Sequence, residues 1–156
     1  MINLNKQEIK ELIEKSKISP KKRASYILRG FRDKDIPSVL FNALQLGTYV
    51  CPHRHISKKG KEILIPISGN LIIVFFNDKG NIIEHIIVGP NKIPYLEIPP
   101  NTFHTIIAKE SDTILCELYM DNHVNDNEYK EFASWAPEEC SKEGEEYLDK
   151  LITEVS

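Results

Sequence analysis

Apolar residues gather in short runs between residues 25 and 119, and turn-forming residues punctuate them. Runs rich in Ile, Val, Phe and Tyr fall at 25–31, 38–50, 62–68, 70–77, 82–88, 94–98, 103–109 and 112–119. Gly30 to Pro37, Ser57 to Gly60, Asn77-Asp78-Lys79-Gly80 and Pro99-Pro100-Asn101 are among the breaks. Many short strands at near-even spacing predict an all-β fold, an antiparallel β-barrel or jelly roll. No helix-length pattern interrupts the runs, which disfavours a βαβ arrangement. The two ends read differently. Residues 5–15 place Ile9, Leu12 and Ile13 on one helical stripe. Asn5 with Glu8 three positions on resembles a capping box, and Ser19-Pro20 stops the helix. Residues 141–154 form a second helical pattern, with Ser141 as N-cap and Tyr147, Leu148, Leu151 and Ile152 apolar. The predicted organisation is a single domain over 1–156. A helix at about 5–15 precedes a barrel at about 25–119, and a C-terminal segment with its helix occupies about 130–154.

A chain of 156 residues, 41% hydrophobic and 28% charged, is long enough to bury a core unaided and too apolar for global disorder. No run approaches 18 apolar residues, so no membrane span and no membrane partner are expected. The Lys- and Glu-rich start has no apolar signal region, which points to a cytoplasmic protein. A net charge of −3 gives no case for nucleic acid. Charge is uneven, however: residues 1–35 hold ten basic against five acidic side chains, and residues 138–156 hold seven acidic against two basic. Solvated terminal helices docked on the barrel, on each other or on a partner subunit account for this. Anion binding by Lys22, Arg23 and Arg29 is the sharper alternative. Cys51, Cys116 and Cys140 are odd in number and widely spaced, which fits reduced thiols and excludes a zinc ribbon.

The chemistry centres on histidine. His53 and His55 are two apart, so on a strand they project from one face. Glu62 opens the strand after the Ser57 to Gly60 loop. If that strand pairs with the one carrying His53 and His55, the carboxylate lies opposite the imidazoles. His104 follows the Pro99-Pro100-Asn101 turn. Three imidazoles and a carboxylate suit one divalent transition metal, whether Zn, Fe, Mn, Ni or Co. A barrel without metal, or one using histidine as acid or base, stays open. His85, on a half-buried strand, and His123, in a polar loop, have no partner motif.

The stretch from Gly47 through His53, His55 and Glu62 to Gly69 resembles the first cupin motif, and Pro99 through Asn101 to His104 resembles the second. The gap between His55 and Glu62 is longer than in the commonest motif, and Asn101 stands where glycine is usual. Asparagine tolerates the left-handed region that such a turn needs. Ser19-Pro20-Lys-Lys-Arg23, the segment from Gly47 to His55, Glu97-Ile-Pro99, Thr102-Phe-His104-Thr105 and Trp135-Ala-Pro137-Glu138-Glu139 together resemble the WbuC family of cupin-fold metalloproteins. The resemblance covers roughly residues 18–140. It implies a small single-barrel metalloprotein of bacterial surface-polysaccharide (O-antigen) gene clusters. Cupins commonly cover a free sheet edge by pairing, so a homodimer is expected.

Around the metal set, Tyr49, Arg54, Arg23 and Trp135 are the substrate-pocket candidates. Each has a plainer reading. Tyr49 and Cys51 share the parity of His53 and would line the barrel interior as packing. Arg54 points to the opposite face and suits a salt bridge. Arg23 suits a surface or interface charge, and Trp135 a plug at one barrel end. Three functions follow. The first is a metal-dependent enzyme on a sugar or sugar nucleotide, isomerase- or epimerase-like, needing a base such as Tyr49, Glu97 or Glu117; an Fe(II) dioxygenase ranks below it. The second is a non-catalytic module that anchors a small sugar-like or anionic ligand through the metal. The third is a structural metal.

Overall fold

The computed structural model of the chain describes residues 4–29, 38–56, 61–119 and 130–156. Helix α1 (Lys6–Ile18) opens with the expected capping box: the Asn5 side chain accepts from the Gln7 and Glu8 amides, and Glu8 accepts from the Asn5 amide. Among the described residues ten strands follow: β1 (Arg23–Arg29), β2 (Ser38–Leu44), β3 (His53–His55), β4 (Glu62–Ser68), β5 (Leu71–Phe76), β6 (Ile82–Val88), β7 (Leu96–Ile98), β8 (Phe103–Ala108), β9 (Thr113–Tyr119) and β10 (Lys130–Phe132). Helix α2 (Lys142–Val155) is capped by Ser141, whose hydroxyl accepts from the Gly144 amide. Two five-stranded antiparallel sheets result, ordered β1-β2-β9-β4-β7 and β10-β3-β8-β5-β6. This is the sandwich form of the predicted all-β class.

Apolar residues occupy three layers. Between the sheets, Leu44, Leu64, Leu71, Ile73, Ile106 and Leu115 form the interior. Outside the first sheet, α1 lays Leu12, Ile9 and Ile13 against Ala43 and Ile114. Outside the second, α2 lays Leu148, Leu151 and Val155 against Ile72, Val74 and Ile107. Each such side chain taken from water contributes roughly 1.5–3 kcal/mol before entropy is counted. The terminal helices therefore dock on the barrel, one on each outer face.

The predicted strand at 38–50 ends at Leu44 instead. The chain turns through Gly47, whose φ is +76°, and runs irregularly to Pro52. Alternation does not operate across 49–52, so Tyr49 and Cys51 do not line the interior. Both pack under α2. The three-residue strands β3 and β10 are too short for a pattern to announce them. Asn101 adopts φ +61° and Gly80 φ +82°, as their turns require. His85 is exposed on β6. His123 and the turns at Gly30 to Pro37 and Ser57 to Gly60 lie outside the described residues.

Candidate metal centre

The site is assembled from both sheets. On the second sheet, β3 supplies His53 and His55, and its neighbour β8 supplies His104. His53 and His104 are register partners, and Phe75 lies opposite His104 on the other side. The turn before β8 is tied to β3, since the Asn101 amide donates to the His55 carbonyl at 2.9 Å. Glu62 comes from the facing sheet. The expected pairing of its strand with β3 does not occur, because β4 sits between β9 and β7. Glu62 reaches the imidazoles across the barrel interior instead.

All four side chains are buried, and one ligand atom from each lies within 4.8 Å of the others. Glu62 Oε2 is 3.0 Å from His55 Nε2 and 3.0 Å from His104 Nε2. The ring orientations are set from behind. His53 Nδ1 lies 3.0 Å from the Cys51 carbonyl, and His104 Nδ1 lies 3.0 Å from the Thr102 carbonyl. A carbonyl only accepts, so in each neutral ring Nδ1 carries the hydrogen and Nε2 keeps its lone pair. At His104 that lone pair faces a carboxylate oxygen, and neither buried atom has a hydrogen-bond partner. Two lone pairs at this distance repel unless a cation lies between them. The donor set therefore fits a divalent ion with nitrogen and oxygen ligands.

The electrostatics agree with that reading. Burial holds the His53 imidazole well below its usual range, helped by Lys130 and His104, which keeps it neutral. Burial alone would push the Glu62 carboxyl up; hydrogen bonds and positive charge from His104 and His55, when those rings carry the proton, hold it well below the carboxylate range, and a bound cation would supply that charge in their place. A neutral imidazole and an ionised carboxylate are the forms that bind metal.

A cavity of about 200 Å³ adjoins the cluster, lined by His53, Glu62, Asn42, Glu117, Tyr119 and Lys130 among others. Arg23 reaches its edge, but its guanidinium is committed. Nη2 donates to both Glu139 carboxylate oxygens at 2.7 Å and Nη1 to the Tyr49 carbonyl at 2.9 Å. Three other expected pocket residues lie elsewhere. Arg54, on the outer face of β3, pairs with Glu131 and Asp78 and sits 4.5 Å over the Phe103 ring. Trp135 packs on Phe76 and Phe103, outside the second sheet. The Tyr49 hydroxyl donates to the Pro137 carbonyl under α2. Asn42, Tyr119 and Lys130 were missed. The first two face inward on strands read as apolar runs, so a polar side chain inside such a run was the available signal.

Two facing antiparallel sheets with a His-His-Glu-His cluster between them make this a cupin fold, and the solved structures it resembles share that fold. A family model described as a domain of unknown function (DUF6016) matches residues 4–88, and the chain belongs to that family. Among solved structures, the capsular polysaccharide assembling protein CapF from Staphylococcus aureus is 20% identical with a TM-score of 0.56, over 70% of this chain and 28% of that one. Oxalate decarboxylase from Bacillus subtilis is 18% identical with a TM-score of 0.53, over 70% and 27%. KdgF from Halomonas sp. is 17% identical with a TM-score of 0.50, over 65% and 82%. The alignment thus spans under a third of CapF and of the decarboxylase. No curated protein matches the sequence. Among the described residues, no helix is long and apolar enough to cross a membrane.

Proposed function

We propose that this chain is a metal-dependent cupin protein in which His53, His55, Glu62 and His104 hold one divalent transition ion and the adjoining cavity receives a small, oxygen-rich ligand. The observation that carries this is the approach of Glu62 Oε2 to two imidazole nitrogens at 3.0 Å inside a buried cluster. When bound, the ion supplies Lewis acidity toward a carbonyl or hydroxyl oxygen. The chain's own residues orient and enclose. The Cys51 and Thr102 carbonyls fix the His53 and His104 rings, and Ile106, Leu64 and Leu115 close the interior against water. The substrate class we favour is a sugar or sugar nucleotide, in isomerase- or epimerase-like chemistry of bacterial surface polysaccharides. The WbuC-like segments support it, as does the name of the CapF neighbour.

A non-catalytic binding module is the second reading. Two of the expected bases stand off the cavity, which favours it: Tyr49 lies under α2, and Glu97 is exposed on β7 and ion-paired with Lys61 at 2.7 Å. The free thiols Cys51, Cys116 and Cys140 support a cytoplasmic setting. We read the described elements as one domain. We also read the protein as a homodimer, since β6 leaves Ile83 and Ile87 exposed at a sheet edge; light scattering showing a monomer at micromolar concentration would remove that part.

Elemental analysis of protein purified without a metal-affinity tag tests the metal reading. One equivalent of a first-row metal is expected, and a metal-free protein that takes none up on dialysis overturns it. A thermal-shift screen of sugar nucleotides and dicarboxylates separates ligand classes, because a ligand bound to the native state raises the melting temperature.

A further inference from the structure

Glu117 has no part in holding the metal, yet it is buried on the inner face of β9. A buried carboxylate costs free energy unless it is well partnered. Here Asn42 Nδ2 donates to Oε1 at 2.6 Å and the Tyr119 hydroxyl donates to Oε2 at 2.7 Å. Asn42 is itself oriented by Ser25, whose hydroxyl donates to Asn42 Oδ1. Three adjacent strands, β1, β2 and β9, thus contribute to fixing one carboxylate. In the β4–β9 register Glu62 lies opposite Tyr119 and Leu64 opposite Glu117. The network therefore begins one residue pair from the metal cluster.

A carboxylate offers about four acceptor positions, and these two donors fill two of them. The remainder meet the 200 Å³ cavity, which Glu117 lines together with His53 and Glu62. For scaffolding alone, a well-packed apolar residue would serve as well or better. The cavity holds the equivalent of about six or seven waters, at about 30 Å³ each. What seats against the metal centre is compact: a small sugar-like molecule, or the sugar end of a larger one that extends out of the cavity.

We propose that Glu117 is a ligand-contacting carboxylate, accepting a hydrogen bond from a hydroxyl of a compact polyhydroxylated molecule seated against the metal centre, while Asn42 and Tyr119 hold it in position. This rests on the metal reading above and adds to it the residue that recognises the ligand.

Glycerate and lactate test it on the full chain. Both carry a carboxylate and a 2-hydroxyl, and only glycerate has a 3-hydroxyl to offer Glu117. Binding of each is measured by calorimetry on zinc-loaded protein, with metal content determined on the same samples. Wild-type protein should favour glycerate by about tenfold, the worth of one hydrogen bond to a charged acceptor. In Glu117→Leu the preference should fall to near one, with metal content unchanged. Glu117→Gln, which keeps shape and one acceptor oxygen, should retain a few-fold preference and decides the matter if the leucine variant fails to fold. A purely structural role would alter stability and leave the glycerate-to-lactate ratio intact. An undiminished preference in Glu117→Leu (or in Glu117→Gln where the leucine variant does not fold), equal affinities in wild type, or no binding of either acid to metal-loaded protein overturns the assignment. Failure to take up zinc at all overturns the metal reading itself.

Discussion

Glu62 and His104 stand on facing sheets with Oε2 and Nε2 3.0 Å apart, each buried and each lacking a hydrogen-bond partner. The contact joins β4 to β8 through the barrel interior, where neither strand touches the other by backbone. Removing either side chain should therefore empty the site without unzipping a sheet. His104→Ala and His53→Ala are expected to lose most bound metal by elemental analysis. Their melting temperatures should stay close to that of metal-free wild type, because the apolar interior around Leu64, Leu71 and Leu115 is untouched. Full metal occupancy in either variant would contradict the ligand set.

Glu139 gives a pH dependence with a definite sign. Burial pushes its carboxyl up, but Lys21, Arg23 and the Cys51 amide outweigh that and hold it below the ordinary value of 4.5. A depressed carboxyl contributes stability above its unfolded value and loses it as pH falls through the folded one. Glu139→Gln should thus cost about 1–3 kcal/mol at neutral pH. The difference from wild type should shrink as pH drops below 4.5, read as unfolding midpoints in urea. A gap that widens in acid would refute the assignment.

Gly69 connects β4 to β5 at φ +73°, and a Cβ there would sit 2.2 Å from the Thr113 hydroxyl oxygen. Thr113 is fully buried and cannot step aside. Gly69→Ala combines a left-handed backbone with this clash and should cost roughly 2 kcal/mol or more. Chemical denaturation measures it; a neutral substitution would mean that the turn is able to relax.

Arg54 separates scaffold from pocket. It is held by Glu131, Asp78 and the Phe103 ring on the outer face. Arg54→Met should lower stability by about 1–2 kcal/mol and leave metal content and ligand affinity unchanged. A selective loss of ligand binding at full stability would return Arg54 to the site.

Much of this was readable from the residues. Apolar runs bounded by turn residues placed β4, β6 and β9 within a residue of their observed limits, because consecutive Ile, Leu and Val carry a strong signal. The four clustered side chains were legible from His53-x-His55, from Glu62 at a strand start, and from His104 after a proline turn. What failed was non-local. Which strands pair depends on contacts across the whole sandwich, so the facing-sheet origin of Glu62 could not be seen from its nearness in sequence to His55. Tyr49 was misplaced because alternation was extended past the point where β2 stops. Glu117 was legible only as one of three candidate bases, with Tyr49 and Glu97, since its partners Asn42 and Tyr119 meet it through register alone.

On β4, β8 and β9 the inner face changes character partway along the strand. On β8 the inward series runs His104, Ile106, Ala108. On β4 it runs Glu62 then Leu64, and on the antiparallel β9 it runs Leu115, Glu117, Tyr119. Because neighbouring strands point in opposite directions, the polar halves gather at one end of the sandwich and the apolar halves at the other. In engineering terms the molecule is a vessel with a fixed base and a replaceable lining. Residues lining the polar end can be exchanged to change what is held, while the apolar end and the two helix-covered outer faces keep the walls upright.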